Sequence, residues 1–295
     1  MSIKSSPTEI TFSFLERFIE TISVPSKDAL FLRINPTPKP KIIPPKTVAN
    51  NKSLVACFPC NTLVATANIA VAKNVWKTWS EVASVCYDSK VKNPEVIGKH
   101  CFLSGHFSGS RGVYFIFKIT DCPRFVIDQL VRHETGVFKN VQSFRYVNKD
   151  NFGYQIPIEI KDNPELLNKY NEHMTKTVEL YDEIDEYVKS KGRPKERANE
   201  QARCVLPMST YSAVCIGFTL EALIHYMGLR LCTRTEEVHR ELASKMRYAV
   251  CDAIPDIGGY LVPQCDRLLY CPESKCCGRH PKKSDVEKML HSTEV

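Results

Sequence analysis

The sequence predicts an α/β fold of the α+β kind, with strands packed against long helices. Three stretches carry that prediction. VYFIFKI (113–119) alternates aromatic and aliphatic residues, the period-two pattern of a half-buried strand. PELLNKYNEHMTKTVELYDEIDEYVKSKG (164–192) repeats apolar residues every three to four positions, the period of an amphipathic helix. SAVCIGFTLEALIHYMGLRL (212–231) is apolar nearly all round and reads as one central helix.

The remaining elements follow in chain order. ITFSFLERFIETIS (10–23) reads as a short amphipathic helix. INPTPKPKIIPPKTVANNK (34–52) is too rich in proline for helix or central strand, so it reads as an extended arm. Residues 62–86 show mixed helical periodicity. After the strand at 113–119, DCP (121–123) reads as a turn. RFVIDQLVRH (124–133) then places Phe125, Leu130 and Val131 at helical spacing, with Gln129 and Arg132 together on one side. Asn163-Pro164 opens the long helix and Gly192 closes it. Further helices are expected from Pro194 through KERANEQARCVL and over TEEVHRELASKMRYAVCDAI (235–254). The chain divides into an N-terminal extension with a Pro-rich linker (1–53), a catalytic-size body (54–255) and a Cys-rich basic tail (256–295).

At 295 residues, 43% hydrophobic and 25% charged, the composition is that of an ordinary globular chain. No apolar run is long enough to span a bilayer. The N-terminus has acids inside its apolar part, so no secretory signal and no membrane partner are expected. The expected compartment is the cytoplasm, or a host cytoplasm if the chain is viral. A net charge of +7 permits phosphate binding without calling for a nucleic-acid partner.

There are thirteen cysteines. Cys204, Cys215, Cys232 and Cys251 sit in apolar or scattered contexts and read as small hydrophobes in a reducing compartment. Cys265, Cys271, Cys276 and Cys277 crowd the tail in the spacing C-x5-C-x4-C-C, with His280 close behind. Tetrahedral zinc accepts such a set. A reduced loop, or a disulfide formed on oxidation, fits the same spacing. The tail's Lys275, Arg279, Lys282 and Lys283 also leave open a zinc-bearing nucleic-acid module for this segment alone.

RHETGVFKNVQSFRY (132–146) packs cations, an Asn, a Gln and a Ser next to an apolar run, a costly arrangement unless a partner satisfies it. Arginine suits bidentate recognition of a phosphate or a planar imide. Arg132, Arg145, Arg203 and Arg230 are therefore candidates for an anion pocket. On 212–231, Glu221, His225 and Arg230 admit plainer readings: an ion pair, a capped histidine and an Arg at a helix C-terminus.

In order along the chain, SGHFSGS, VYFIFKITDCPRFVIDQLVRH, NVQSFRY, EQARCVLP, LEALIHYMGLRL and EEVHRELA resemble the segments of the flavin-dependent thymidylate synthases, over roughly residues 55–250. The resemblance implies an antiparallel-strand sheet packed with long helices. It also implies a homotetramer holding FAD between subunits. NADPH reduces the flavin, methylenetetrahydrofolate supplies the one-carbon unit and dUMP becomes dTMP. By the same resemblance, Gln129, Ser143, Arg145, Arg203 and Arg230 match residues that hold the nucleotide. Arg230 orients and polarises the pyrimidine. Ser108, Arg132, His133, Glu134, Asn140 and His225 fall at flavin-side positions, and Glu200 matches the acid ahead of Ala-Arg.

The departures are specific. The signature Arg-His-Arg is Arg132-His133-Glu134, and eight residues rather than seven separate Glu134 from Ser143. Val141 replaces an acid. Arg111-Gly112 replaces a Glu-His pair. Thr219 and Glu221 replace the Asn and Arg of Asn-x-Arg. Charges are thus reversed rather than merely lost, and Arg111 is expected to pair with Glu134 or Glu221. Two alternatives stay open beside dTMP synthesis. One is a related transfer, such as hydroxymethylation, to another pyrimidine nucleotide. The other is a non-catalytic nucleotide-binding descendant.

Overall fold

The structure is a computed structural model that describes residues 31–32, 68–71, 75–87, 93–150 and 152–292. The helix expected at 10–23 and the arm at 34–52 lie outside the described residues. Phe31–Leu32 forms a short strand (β1) that pairs with β2, Asn68–Val71, although it falls within the segment expected to be an extension.

Two helices follow, α1 (Val75–Tyr87) and α2 (Pro94–Leu103), the latter capped by the Asn93 side chain. Residues Phe107–Gly112 make a 3-10 turn into the long strand β3, Tyr114–Pro123. The expected turn at 121–123 is instead the end of β3. A register irregularity between Ile119 and Cys122 and a positive φ of 53° at Asp121 absorb the polar residues without ending the strand. α3 (Arg124–Leu130) and the strand β4 (Val137–Val141) come next, then the long α4 (Pro164–Ser190) and α5 (Lys195–Ala202).

The central helix expected at 212–231 is a strand followed by a helix: β5 (Tyr211–Thr219) and α6 (Leu220–Arg230). A continuous apolar run buried in a sheet gives no alternation to read, so its periodicity mimics a buried helix. The β-branched Val214, Ile216 and Thr219 favour strand. Thr219 then accepts a hydrogen bond from the Ala222 amide and starts α6. α7 (Glu237–Ala253), the short α8 (Gln264–Leu268) and α9 (Lys283–Ser292) complete the fold. Among the described residues no helix is long and apolar enough to cross a membrane.

The sheet is antiparallel throughout, in the order β1-β2-β3-β5-β4. On its inner face Phe115, Phe117 and Ile119 lie opposite Phe218, Ile216 and Val214, all buried. The same core takes Trp79 and Phe102 from the first two helices and Tyr226, Leu242 and Met246 from α6 and α7. Cys122, fully buried there, has its thiol pushed up to about 12 by burial and then by the Asp121 carboxylate. A second, smaller core joins α4 to the 152–156 segment through Phe152, Tyr154, Ile156, Met174 and Val178. The tail closes on the main core, where Ile257 and Leu261 are fully buried.

Candidate active site

The end of α6 presents Arg230. Its Nε donates to His133 Nε2 at 3.1 Å, Nη1 donates to Gln129 Oε1 at 3.4 Å and Nη2 to the Gln129 carbonyl at 3.5 Å. Gln129 lies in the last turn of α3 and His133 follows in the turn to β4, so both segments meet the guanidinium at the end of α6. Gln129 is fixed in turn. Its Nε2 donates to Glu236 at 2.7 Å, and its Oε1 lies 3.4 Å from His239 Nδ1. Behind it, Tyr226 Oη lies 3.2 Å from His239 Nε2.

One set of protons satisfies this chain: Tyr226 donates to His239 Nε2, His239 Nδ1–H donates to Gln129, and Gln129 donates to Glu236. Both histidines are then neutral. Burial, followed by the Arg230, His225 and Lys139 charges, lowers His133 to about 4. Burial, then Arg230 and His133, lowers His239 to about 3. Lys139 closes the turn by donating to the carbonyls of Val131 and His133. Burial also raises the Tyr226 hydroxyl, keeping it a donor.

Arg230 itself is half-buried, and burial lowers its pKa from a very high ordinary value, so it stays a cation. Among the described residues its acceptors are a neutral imidazole and an amide. Neither cancels its charge. Other arginines of the fold are neutralised: Arg111 by Glu221 at 2.7 Å, Arg124 by Asp128 at 2.9 Å and Arg279 by Asp266 at 2.6 Å.

The other sequence-predicted residues fall in three places. Arg132 is exposed and close enough to Arg230 to disfavour its charge. His225 is exposed on α6, its ring centroid 6.5 Å from that of His133. Glu134 is exposed in the same turn, Asn140 is exposed on β4 opposite Cys215, and Ser108 is exposed in the 3-10 turn before β3. A second cluster gathers around Glu200, which takes Arg145 Nε at 3.3 Å and Arg197 Nη1 at 2.5 Å. Asn199 donates to the Arg145 carbonyl at 2.9 Å, and Ser143 Oγ accepts from the Arg145 amide at 3.3 Å. Arg203 is exposed in the turn that ends α5. Arg111 selects Glu221 as its partner, the second of the two acids expected for it.

In the tail, Cys265, Cys271 and Cys277 line one cavity together with Cys232, while Cys276 bonds to the His280 carbonyl at 3.2 Å. The sequence singled out neither Tyr226, Glu236 nor His239. A Glu and a His three apart at the start of an apolar-striped helix were the available signal.

The sequence pattern described as thymidylate synthase complementing protein (Thy1) matches residues 67–256, which contain both clusters. The flavin-dependent thymidylate synthase of Nitratidesulfovibrio vulgaris is 33% identical over 185 residues, 62% of this chain and 75% of that one. That of Pyrococcus abyssi is 32% identical over 215 residues, covering 69% of this chain and 82% of the relative. That of Clostridium tetani is 30% identical over 227 residues, 70% and 90% of the two chains. Among solved structures, the UMP/dUMP methylase PolB of Streptomyces cacaoi aligns at 18% identity with a TM-score of 0.48, over 68% of this chain and 97% of that one, below the level at which superposition alone establishes a common fold. By its sequence, the chain belongs to the flavin-dependent thymidylate synthase family.

Proposed function

We propose that the protein is a methyltransferase converting dUMP to dTMP with FAD, using methylenetetrahydrofolate and NADPH as co-substrates. The observation that carries this reading is Arg230: a half-buried, uncancelled guanidinium held by two neutral partners, Gln129 and His133. A planar cation fixed this way suits the imide edge of a pyrimidine. It stabilises negative charge that develops on a ring oxygen during attack, and does so without reorganising. Gln129, positioned by Glu236 and His239, holds the Arg230 fork in place. Ser143, Arg145 and Arg203 supply a hydroxyl and two cations for the nucleotide phosphate. Arg145 is drawn toward Glu200 and must be shared with it or released from it.

The residues present fit a flavin. The neutral His133 imidazole lies beside the exposed His225 ring, and the exposed Arg132 offers charge for a pyrophosphate. The reversed charges at Arg111 and Glu221 cancel each other, so this pair adds no net repulsion toward an anionic cofactor. When bound, the flavin supplies hydride chemistry. This chain's residues bind and orient the pyrimidine. Ser108, Glu134 and Asn140 belong to the flavin side in this reading. We include a homotetramer, in keeping with site residues split into two clusters and with exposed Leu166, Leu180 and Tyr187 on α4.

Two measurements test it. The visible spectrum of the purified protein is expected to show bound flavin, and its mass in solution to be near four times 33.6 kDa. Ring-tritiated dUMP is expected to release tritium only when both NADPH and methylenetetrahydrofolate are present. Release without folate, or transfer to another pyrimidine nucleotide in preference to dUMP, sinks the assignment.

A further inference from the structure

Helix α5 carries Arg197 and Glu200 three residues apart, a spacing that makes them neighbours on its surface. Glu200 meets two cations there, and it meets them unequally. Arg197 Nη1 donates a hydrogen bond to Oε1 at 2.5 Å. Arg145, from the segment after β4, brings only Nε near the other oxygen, Oε2, at 3.3 Å. The short bond belongs to a residue of the same helix. The long contact belongs to the residue assigned to the nucleotide phosphate.

The two arginines also differ in how they are held. The root of Arg145 is fixed. The fully buried Asn199 donates to its carbonyl at 2.9 Å, and its amide donates to Ser143 Oγ at 3.3 Å. Its Cζ stands 5.6 Å from the centroid of the Tyr146 ring. The other end is open. Among the described residues, no hydrogen bond takes the terminal amines of Arg145. Those amines are the pair that a guanidinium offers to a phosphate.

Glu200 is the acid that competes for them. Its side chain is 27% exposed, against 50% for Arg145 and 54% for Arg197. An unpaired carboxylate that far from water is costly, so it takes whichever cation is in reach. With Arg197 in place, the acid is already bonded and Arg145 is held loosely. With Arg197 gone, Arg145 is the remaining partner of Glu200 in these ion pairs. The acid then draws the fork onto itself and away from an incoming ligand.

We propose that Arg197 is a positioning residue for the nucleotide phosphate: it occupies Glu200, so that Arg145 keeps its terminal amines open for the dianion. Arg197 acts through Glu200 and Arg145 rather than by touching the nucleotide. Glu200 then shares Arg145 with the phosphate instead of withholding it. This role rests on the reading of the site as one for dUMP, and deepens it by adding a residue outside the motifs that resemble the family.

The test measures the dissociation constant of dUMP by calorimetry on the intact protein as purified, without folate or NADPH. Arg197→Gln should raise it about 10-fold at low salt and less at physiological salt. Arg197→Lys keeps a cation within reach of Glu200 and should stay within about 3-fold of wild type. The deciding measurement repeats Arg197→Gln in Glu200→Gln protein, where no acid competes for Arg145. There the same change should cost only about 2-fold, because residues that act through one another are not additive. Arg197 is exposed, so its variants should keep the wild-type unfolding midpoint. Equal losses in the two backgrounds overturn the proposal, since Arg197 would then act on the phosphate by itself. So does an Arg197→Gln protein that binds dUMP as wild type does. Wild-type protein that binds no dUMP sinks the reading of the site, and this role with it.

Discussion

Arg230 owes its orientation to groups more than ninety residues away along the chain, since His133 lies 97 positions before it and Gln129 101. On the proposed reaction, Arg230→Lys keeps a charge but loses the fork and the Nε bond to His133. Its kcat for tritium release at saturating dUMP should fall about 100- to 1,000-fold. An unchanged kcat would remove Arg230 from the chemistry. The neutral histidines make a separate statement about acid. Their ordinary pKa is 6.5, and in the folded chain His133 is lowered to about 4 and His239 to about 3. Between those values the unfolded chain binds protons that the folded chain refuses, so the stability they contribute is full above about pH 6.5 and is lost as pH falls toward 4. His239→Gln should flatten the dependence of Tm on pH over that window relative to wild type. Equal slopes would contradict the neutral assignment. Gln129, His133 and Arg230 were legible in the sequence because their segments resemble a family. Tyr226 and His239 were not, because a buried hydroxyl and imidazole on a striped helix look like core until a residue about 110 positions away meets them.

At the scale of elements, β5 carries the most structure and was the hardest to read. It pairs with β3 on one side and β4 on the other, and it runs straight into the helix that ends at Arg230. Gly217 lies beneath the Phe138 ring of β4, and a Cβ there would come within 1.9 Å of a ring carbon. Gly217→Ala must push β4 away, which should cost about 1–3 kcal/mol, read as a lower denaturant midpoint at unchanged slope. β3 was legible because one of its faces is less buried than the other, which leaves a visible alternation from Tyr114 to Ile119. β5 alternates in burial from Tyr211 to Ile216 but has four successive buried residues from Ile216 to Thr219, so the periodicity that marks a strand breaks off before the helix. The long α4 needed no such help, since the Asn163 cap, Pro164 and a solvated face are all local signals. The strand irregularity at Asp121 escaped the sequence because Asp-Cys-Pro has turn composition, and only the pairing of Cys122 and Pro123 with β5 holds it extended.

For the whole molecule, composition suggested a separate tail from residue 256, but the packing of Ile257 and Leu261 into the main core was not readable there. Leu261 is fully buried in the main core, and its carbonyl accepts from Arg247 of α7 at 2.6 Å. Leu261→Ala should therefore destabilise the entire fold by about 2–5 kcal/mol, seen as one cooperative thermal transition shifted downward. A transition that splits in two would mean the tail melts by itself. Spacing in the tail suggested metal chemistry, yet Cys232 enters that cavity only through folding, which no local pattern announces. The fully buried Cys122 offers a readout of such opening. Walled in between strands and held protonated, its sulfur meets an alkylating reagent only when the sheet parts. The pace at which intact protein gains mass at Cys122 is thus an internal clock for rare opening, kept by an atom the molecule already carries.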